Sequence, residues 1–342
     1  MDKPVTVTDV VEALDRITGG RVCVRASDLF SGKNRFVVTK SSGIPGKAVT
    51  ETPGLVFGDP SRQVKKLAVC MTLTESQIEL AGATGVDAIV AHHPVADAAN
   101  SGGVTLKVYL GLYGIAVLEL HEAFHGLHPG IQFLHGHKAF RVDIAYGGIP
   151  GNVMSVGKAL DDVKTAGDVL RRLAFFMGYA GERDMLMAER EVRGCASVEE
   201  TNTATGGCIL NGSESSKVGT IIHIHPHTGF TADHLQQAVK EHPEIDTVIS
   251  SISRVRGDSD LVAKAKELGL TFILGNSHAM EILENGVPLA AALQALLPPV
   301  EVVVFRERVS SYPLGHIGTP AIREYGKDMA GRYLLPGAPE RK

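Results

Sequence analysis

Short apolar runs alternate along the chain with stretches whose apolar residues recur every three or four positions. That pattern predicts strands and helices in turn. Thr8 to Thr18 sets Val10, Val11, Leu14 and Ile17 at helical spacing, with Asp9 near the positive end of the helix dipole. Ser31 to Gly58 is rich in Gly, Ser, Lys and Pro and predicts loops. Lys66 to Met71 then predicts a strand, Thr74 to Gly82 a helix opened by the capping pair Thr74-Glu75, and Asp87 to Ala91 a strand. Val104 to Tyr113 continues as a helix and Ile115 to Leu120 as an apolar strand. Units of this kind build parallel sheets, so the fold class is α/β.

The second half repeats the rhythm without a fixed period. Gly126 to Gly151, dense in glycine and proline, predicts a linker or surface loops, and Val163 to Met177 an amphipathic helix. Leu186 to Gly219 is mixed, with a short strand or two and then a polar region. Strands are predicted over Val218–His227, Thr247–Ser251, Thr271–Leu274 and Val300–Phe305. Helices are predicted over Asp233–Glu241 and Leu261–Leu268, with a further one from Ala279 to about Leu283. The Gly/Pro-rich tail after Ser311 is expected to wrap a surface.

Candidate chemistry sits where strands end. The run Ala88 to Ala91 delivers His92 and His93 to Pro94, and Ile115 to Leu120 runs into His121, with His125 four residues on. Thr271 to Leu274 leads to His278, with Glu281 at helical spacing from it. Carboxyl ends of strands are where α/β proteins place ligands. Adjacent strand residues point to opposite faces, so His92 and His93 can share one small site only if the chain turns there, or can each take one of two nearby ions. A set of imidazoles and carboxylates suits zinc, iron, manganese or cobalt better than calcium. His92 and His93 are therefore expected to bind one or two divalent ions, and His125, His278 and Glu281 are candidate further ligands that spacing alone leaves open against ordinary hydrogen-bonded surface residues. His121 is a candidate proton shuttle or a residue that orients a ligand. His223, His225 and His227 alternate and could be zinc ligands, a proton relay or a half-exposed polar face; the last is preferred. His128, His135 and His137 receive no role.

Composition narrows the partners. A chain of 342 residues with 44% hydrophobic and 21% charged residues has ample core for two domains. A net charge of −4 argues against general nucleic-acid binding, which needs a basic surplus. The apolar region Pro288 to Phe305 is broken by Gln294, Pro298, Pro299 and Glu301, so no membrane span is expected. Cys23, Cys70, Cys195 and Cys208 are scattered, with no Cys-x-x-Cys pair and hence no zinc ribbon, and a reduced, cytoplasmic protein is expected. Gly54 to Gly58 and Thr205 to Gly207 do not match phosphate-loop or dinucleotide spacings, and there is no nucleophile elbow.

Several of these segments together resemble one family. They are Gly54-Leu55-Val56-Phe57-Gly58-Asp59-Pro60, Val64-Lys65-Lys66, Asp87 to Pro94, Val156 to Leu160 and Gly275 to Glu281. The family is the Nif-three-like dinuclear metal centre hexameric proteins (GTP cyclohydrolase I type 2-like). The resemblance spans roughly residues 50 to 300, and its middle part is weak. It implies two interlinked α/β domains with a metal-binding cleft between them: residues 1–130 plus 270–342, and 131–269. It also implies a homohexamer and a metal-dependent hydrolase of cyclohydrolase type, with a nucleotide as substrate. The alternative is a non-catalytic metal-binding oligomer that delivers metal or scaffolds a partner. Carried over, the ligands are His92, His93, His278 and Glu281. His121-Glu122-Ala123-Phe124-His125 stands where the family has His-Thr-Asn-Leu-Asp, so His125 replaces a bridging aspartate. The late motif is one residue shorter than the family's, which leaves Glu284 as a stand-in for Glu281.

Overall fold

Reciprocal caps set the first helices in the computed structural model, which describes residues 3–41, 45–95, 106–193, 206–310 and 312–336. Helix Val7–Thr18 begins where the Asp9 N–H donates to Thr6 Oγ1 and the Thr6 N–H to the Asp9 carboxylate. Gly19 in the left-handed region closes it. Thr74, Gln77 and Gly85 bound helix Glu75–Thr84 in the same way.

The stretch from Ser31 to Gly58, expected as loops, contains three short strands. β1 (Val38–Ser41) and β2 (Ala48–Glu51) form a two-stranded antiparallel hairpin, and β3 (Gly54–Phe57) joins a larger sheet. The hairpin lacks a continuous apolar face and is tied down by charges instead, so no hydrophobic period marks it.

β4 (Lys66–Cys70), β5 (Ala88–Ala91) and β6 (Ala116–Glu119) are parallel neighbours, as the strand-helix-strand pattern predicts. Both faces of their sheet are buried, as parallel sheets require. Leu67, Val90 and Leu118 pack on one face with Val10, Leu14 and Leu293. Ala68, Cys70 and Ile89 pack on the other with Ile78 and Leu110. The Asp87 carboxylate accepts the N–H groups of Lys65 and Lys66, which pins the start of β4 against β5. The helix expected over Val104–Tyr113 is seen over 106–113; Val104 and Thr105 lie outside the described residues. Leu118 is fully buried. Leu118→Ala is expected to cost about 2–5 kcal/mol in urea unfolding, through lost burial and the cavity left behind.

The region Gly126 to Gly151 is more ordered than expected. It holds helix Gly130–Leu134 and strand β7 (His137–Asp143), whose alternating exposed side chains mark a sheet edge. β7 leads a six-stranded sheet with β8 (Met154–Ala159), β9 (Cys208–Asn211), β10 (Thr220–Ile224), β11 (Thr247–Ile252) and β12 (Thr271–Ser277). Its spatial order is β7-β8-β10-β11-β12-β9, with β10, β11 and β12 parallel. Helix Tyr179–Arg193 takes the start of the mixed segment expected from Leu186, and β9 is a short strand later in it. Pro226 ends the strand expected to reach His227, which falls in a 3-10 turn.

Because β12 pairs with β11, the chain returns to the first sheet after Ser277 and not at residue 270. It does so through a 3-10 turn (His278–Met280), a π-helical turn (Ile282–Gly286) and helix Val287–Leu296, and then β13 (Glu301–Val304) pairs with β4. The tail forms an exposed helix, Pro320–Met329. Cys23, Cys70 and Cys208 are unpaired, and Cys195 lies outside the described residues. Among the described residues no helix is long and apolar enough to cross a membrane.

Candidate metal centre

Ala91 lies opposite Glu119 in the parallel pair β5 and β6, so the residues that follow each strand emerge at one sheet edge. β5 delivers His92 and His93. β6 delivers His121, and the tight turn after it brings round His125, with the Phe124 N–H donating to the His121 carbonyl. The His121 and His125 rings lie 4.6 Å apart and the His92 and His93 rings 5.2 Å apart. Glu281 arrives from the other sheet, on the turns that follow β12.

The doublet does not splay to opposite faces. His92 Nε2 stands 3.4 Å from Glu281 Oε1, and His93 Nε2 stands 3.2 Å from Glu281 Oε2. Two ligand atoms each about 2.1 Å from one tetrahedral ion stand about 3.4 Å apart, so the spacing fits a shared ion. His92 Nε2 and Glu281 Oε2 are buried and make no hydrogen bond. Buried polar atoms are nearly always partnered, so this pair of orphans fits a cation. Three sets of side chains bring potential ligand atoms within 4.8 Å of one another: His92, His93 and Glu281; His92, His121 and His125; and Glu51, His121 and Glu122.

Supporting bonds aim the rings. His92 Nδ1–H donates to the Leu120 carbonyl at 2.9 Å. His121 Nδ1 meets Glu51 Oε2 at 2.9 Å, and His125 Nδ1 meets Glu122 Oε2 at 3.2 Å. Each ring thus keeps Nε2 free for a ligand, the arrangement that fixes metal-binding imidazoles. Burial lowers the pKa of His92 and drives that of His121 well down, so both are neutral and offer lone pairs. Burial opposes the Glu281 anion, but His93 beside it outweighs that and holds its pKa well below the usual range. Burial also opposes the charges of Lys40 and Glu122. Bonds to Glu122 and Glu51 outweigh it at Lys40 and raise its pKa, while His125 first, then His121 and Lys40, hold the Glu122 carboxyl at about 2.

The structure therefore gathers His92, His93, His125 and Glu281 as expected and adds His121 to them. His278 sits one ring away, stacked on His93 at 4.7 Å, with its Nε2 3.2 Å from His93 Nδ1. Glu284 is no stand-in for Glu281: it is buried elsewhere, bonded to Asn276. Sequence reasoning missed Lys40, Glu51 and Glu122. Lys40 and Glu51 lie on the hairpin expected as loop, while Glu122, three residues before His125, was open to view. The half-exposed face preferred for His223, His225 and His227 is also corrected. His223 and His225 are buried, His225 and His227 line the cleft, and His223 packs against His135 and His137 in the interior. β10, which carries His223 and leads to His225, is buried on both faces, with Ile222 and Ile224 in one core cluster and Ile221 in another.

A pocket of about 60 Å³ lies between His93, His121, His125, His225 and Glu281. A wider mouth of about 760 Å³ adjoins it, lined among others by Thr39, Ser41, Thr72, Thr228 and His278.

Residues 44–100 match the Duf34/NIF3 (NGG1p interacting factor 3) family, a span that includes His92-His93-Pro94. The fold is similar to that of the Bacillus cereus protein related to NIF3, with a TM-score of 0.57 at 10% identity over 91% of this chain and 100% of that one. The family match covers about a sixth of the chain, and the structural likeness shows that the fold is shared. Two further structures share the fold. Reduced HcgD from Methanocaldococcus jannaschii has a TM-score of 0.52 at 16% identity, covering 89% of this chain and 99% of that one. The Staphylococcus aureus hypothetical protein SA1388 has a TM-score of 0.53 at 15% identity, covering 89% and 97%. No curated protein matches this chain in sequence.

Proposed function

We propose that this chain is a divergent member of the NIF3 family, binds one or two divalent ions of the zinc, iron, manganese or cobalt type and acts as a metal-dependent hydrolase. The ligands are His92, His93, His121, His125 and Glu281, with His278 bracing His93. The observation that carries this reading is the pair of buried, unbonded atoms His92 Nε2 and Glu281 Oε2 inside a histidine cluster. When bound, the ion supplies Lewis acidity and a nucleophilic water at neutral pH. Glu281 turns one oxygen to each histidine of the doublet, so it is the residue that would hold two ions together if both bind, which an imidazole at position 125 with a single lone pair could not do. His225 and His227 wall the pocket and are placed to exchange protons with a substrate there.

The wider mouth has the volume of a site for a nucleotide-sized molecule, and its hydroxyls suit a polar substrate. We take a nucleotide as the first substrate to test, in a cytoplasmic homohexamer as the resemblance implies. The two sheets are the natural centres of two interlinked domains.

Metal content by elemental analysis, with turnover of GTP and simple phosphoesters measured with and without chelator, tests the proposal. Chelator-sensitive turnover supports a hydrolase. Bound metal without turnover on any substrate supports a non-catalytic metal-binding oligomer. Metal at 100 times its Kd is expected to stabilise the fold by about 2.7 kcal/mol, seen as a rise in Tm that chelator reverses.

A further inference from the structure

We propose that Lys40 is the positioning residue of the centre: its ammonium holds the Glu51 and Glu122 carboxylates, and these hold His121 and His125 with Nε2 facing the ion. The inference rests on the metal reading above and goes beyond it by placing control of two ligands on a separate hairpin.

Each carboxylate divides its oxygens in the same way. Lys40 Nζ bonds Glu51 Oε1 at 2.7 Å and Glu122 Oε1 at 2.5 Å. The other oxygens, Glu51 Oε2 and Glu122 Oε2, meet Nδ1 of His121 and of His125. One cation thus sits behind two carboxylate–histidine pairs. Both carboxylates are almost fully buried, with side chains 6% and 5% exposed, so their mutual repulsion is poorly screened without the ammonium between them. They come from different elements, Glu51 from the end of β2 and Glu122 from the turn after β6, and Lys40 reaches both from β1. The surroundings leave room for this clamp. A Cβ at Gly151 would overlap Glu122 Oε1 and stand 3.1 Å from Lys40 Nζ, and the φ of +79° there also favours glycine.

Lys40→Met keeps most of the stem and removes the charge. Ligand-orienting partners of this kind typically change metal affinity by roughly 10–100-fold, and a loss in that range is expected in chelator competition. The cobalt(II)-loaded variant is expected to show an altered ligand-field spectrum, because the His121 and His125 rings are no longer fixed. Lys40→Arg keeps a charge able to bridge two carboxylates, and Lys40 is 31% exposed, which leaves space for the longer side chain. It is expected to restore both affinity and spectrum. Urea unfolding of each metal-free variant separates lost positioning from lost folding, and Lys40→Gln replaces Lys40→Met if the latter does not fold. Wild-type affinity and spectrum in the charge-removing variant overturn the proposal. So does an equal loss of affinity in Lys40→Arg with an unchanged spectrum. A wild-type chain that binds no ion overturns the metal reading itself, and is told apart because all variants then behave alike.

Discussion

The His92→Ala protein is expected to purify without stoichiometric metal under conditions in which the wild-type chain retains it. The loss should exceed the roughly 10–100-fold expected on removing a supporting residue, because His92 is itself a donor. Its Nε2 is buried and unbonded, its Nδ1–H is committed to the Leu120 carbonyl, and its lowered pKa keeps it neutral. It also belongs to both of the histidine sets that converge in the cleft. Alanine leaves Glu281 as a buried anion that has lost one of its two facing imidazoles. Elemental analysis of the two proteins, with a chelator titration to rank affinities, checks this. Equal metal content in wild type and variant would move the binding site elsewhere.

Acid is expected to unfold the metal-free protein earlier than carboxylate protonation alone would. His135 and His137 are completely buried away from the candidate ligands, and burial pushes their pKa values down to about 4 and about 3. The unfolded chain takes up protons near 6.5, where the folded chain refuses them. Since the folded values are lowered, stability is complete above 6.5 and is lost as pH falls from 6.5 towards 4. Each such histidine costs up to about 1.4 kcal/mol per pH unit in that window. Domains of this kind are stable by only about 5–15 kcal/mol, so a few buried histidines decide the acid limit. Urea unfolding in chelator at pH 7.5, 6.5, 5.5 and 5.0 should show the decline. His137→Phe should flatten it, because neither ring nitrogen of His137 has a hydrogen-bond partner to lose. A pH-independent unfolding free energy down to pH 5.0 would contradict this account.

The mouth of the cleft shows where sequence reasoning stops. A Gly- and Ser-rich stretch around Ser42 gives no hydrophobic period, so the hairpin of β1 and β2 is invisible as structure, and with it the link between Lys40 and Glu51. Their pairing is electrostatic and crosses a turn, and it acquires meaning only beside Glu122 from another element. The alternation of His223, His225 and His227 suggested one shared environment. Pro226 breaks the strand, and packing on both faces of β10 goes with the burial of His223 and His225.

By itself the sequence determined the parallel α/β units, because apolar runs of four or five residues between capped helices leave few other ways to bury both sheet faces. It also determined that histidines would stand at the carboxyl ends of β5 and β6, since each follows directly on a buried strand. Only the tertiary structure decided which of them meet. Glu281 reaches the doublet because β12 belongs to the second sheet and the turns after it bring the chain back to the first, which no local pattern encodes. For the same reason His278 stands behind His93, stacked on its ring, and His121 stands beside His92 and His125. Ligand convergence is set by the packing of elements far apart in sequence, at distances of a few ångströms, whereas periodicity fixes only the face on which each side chain begins.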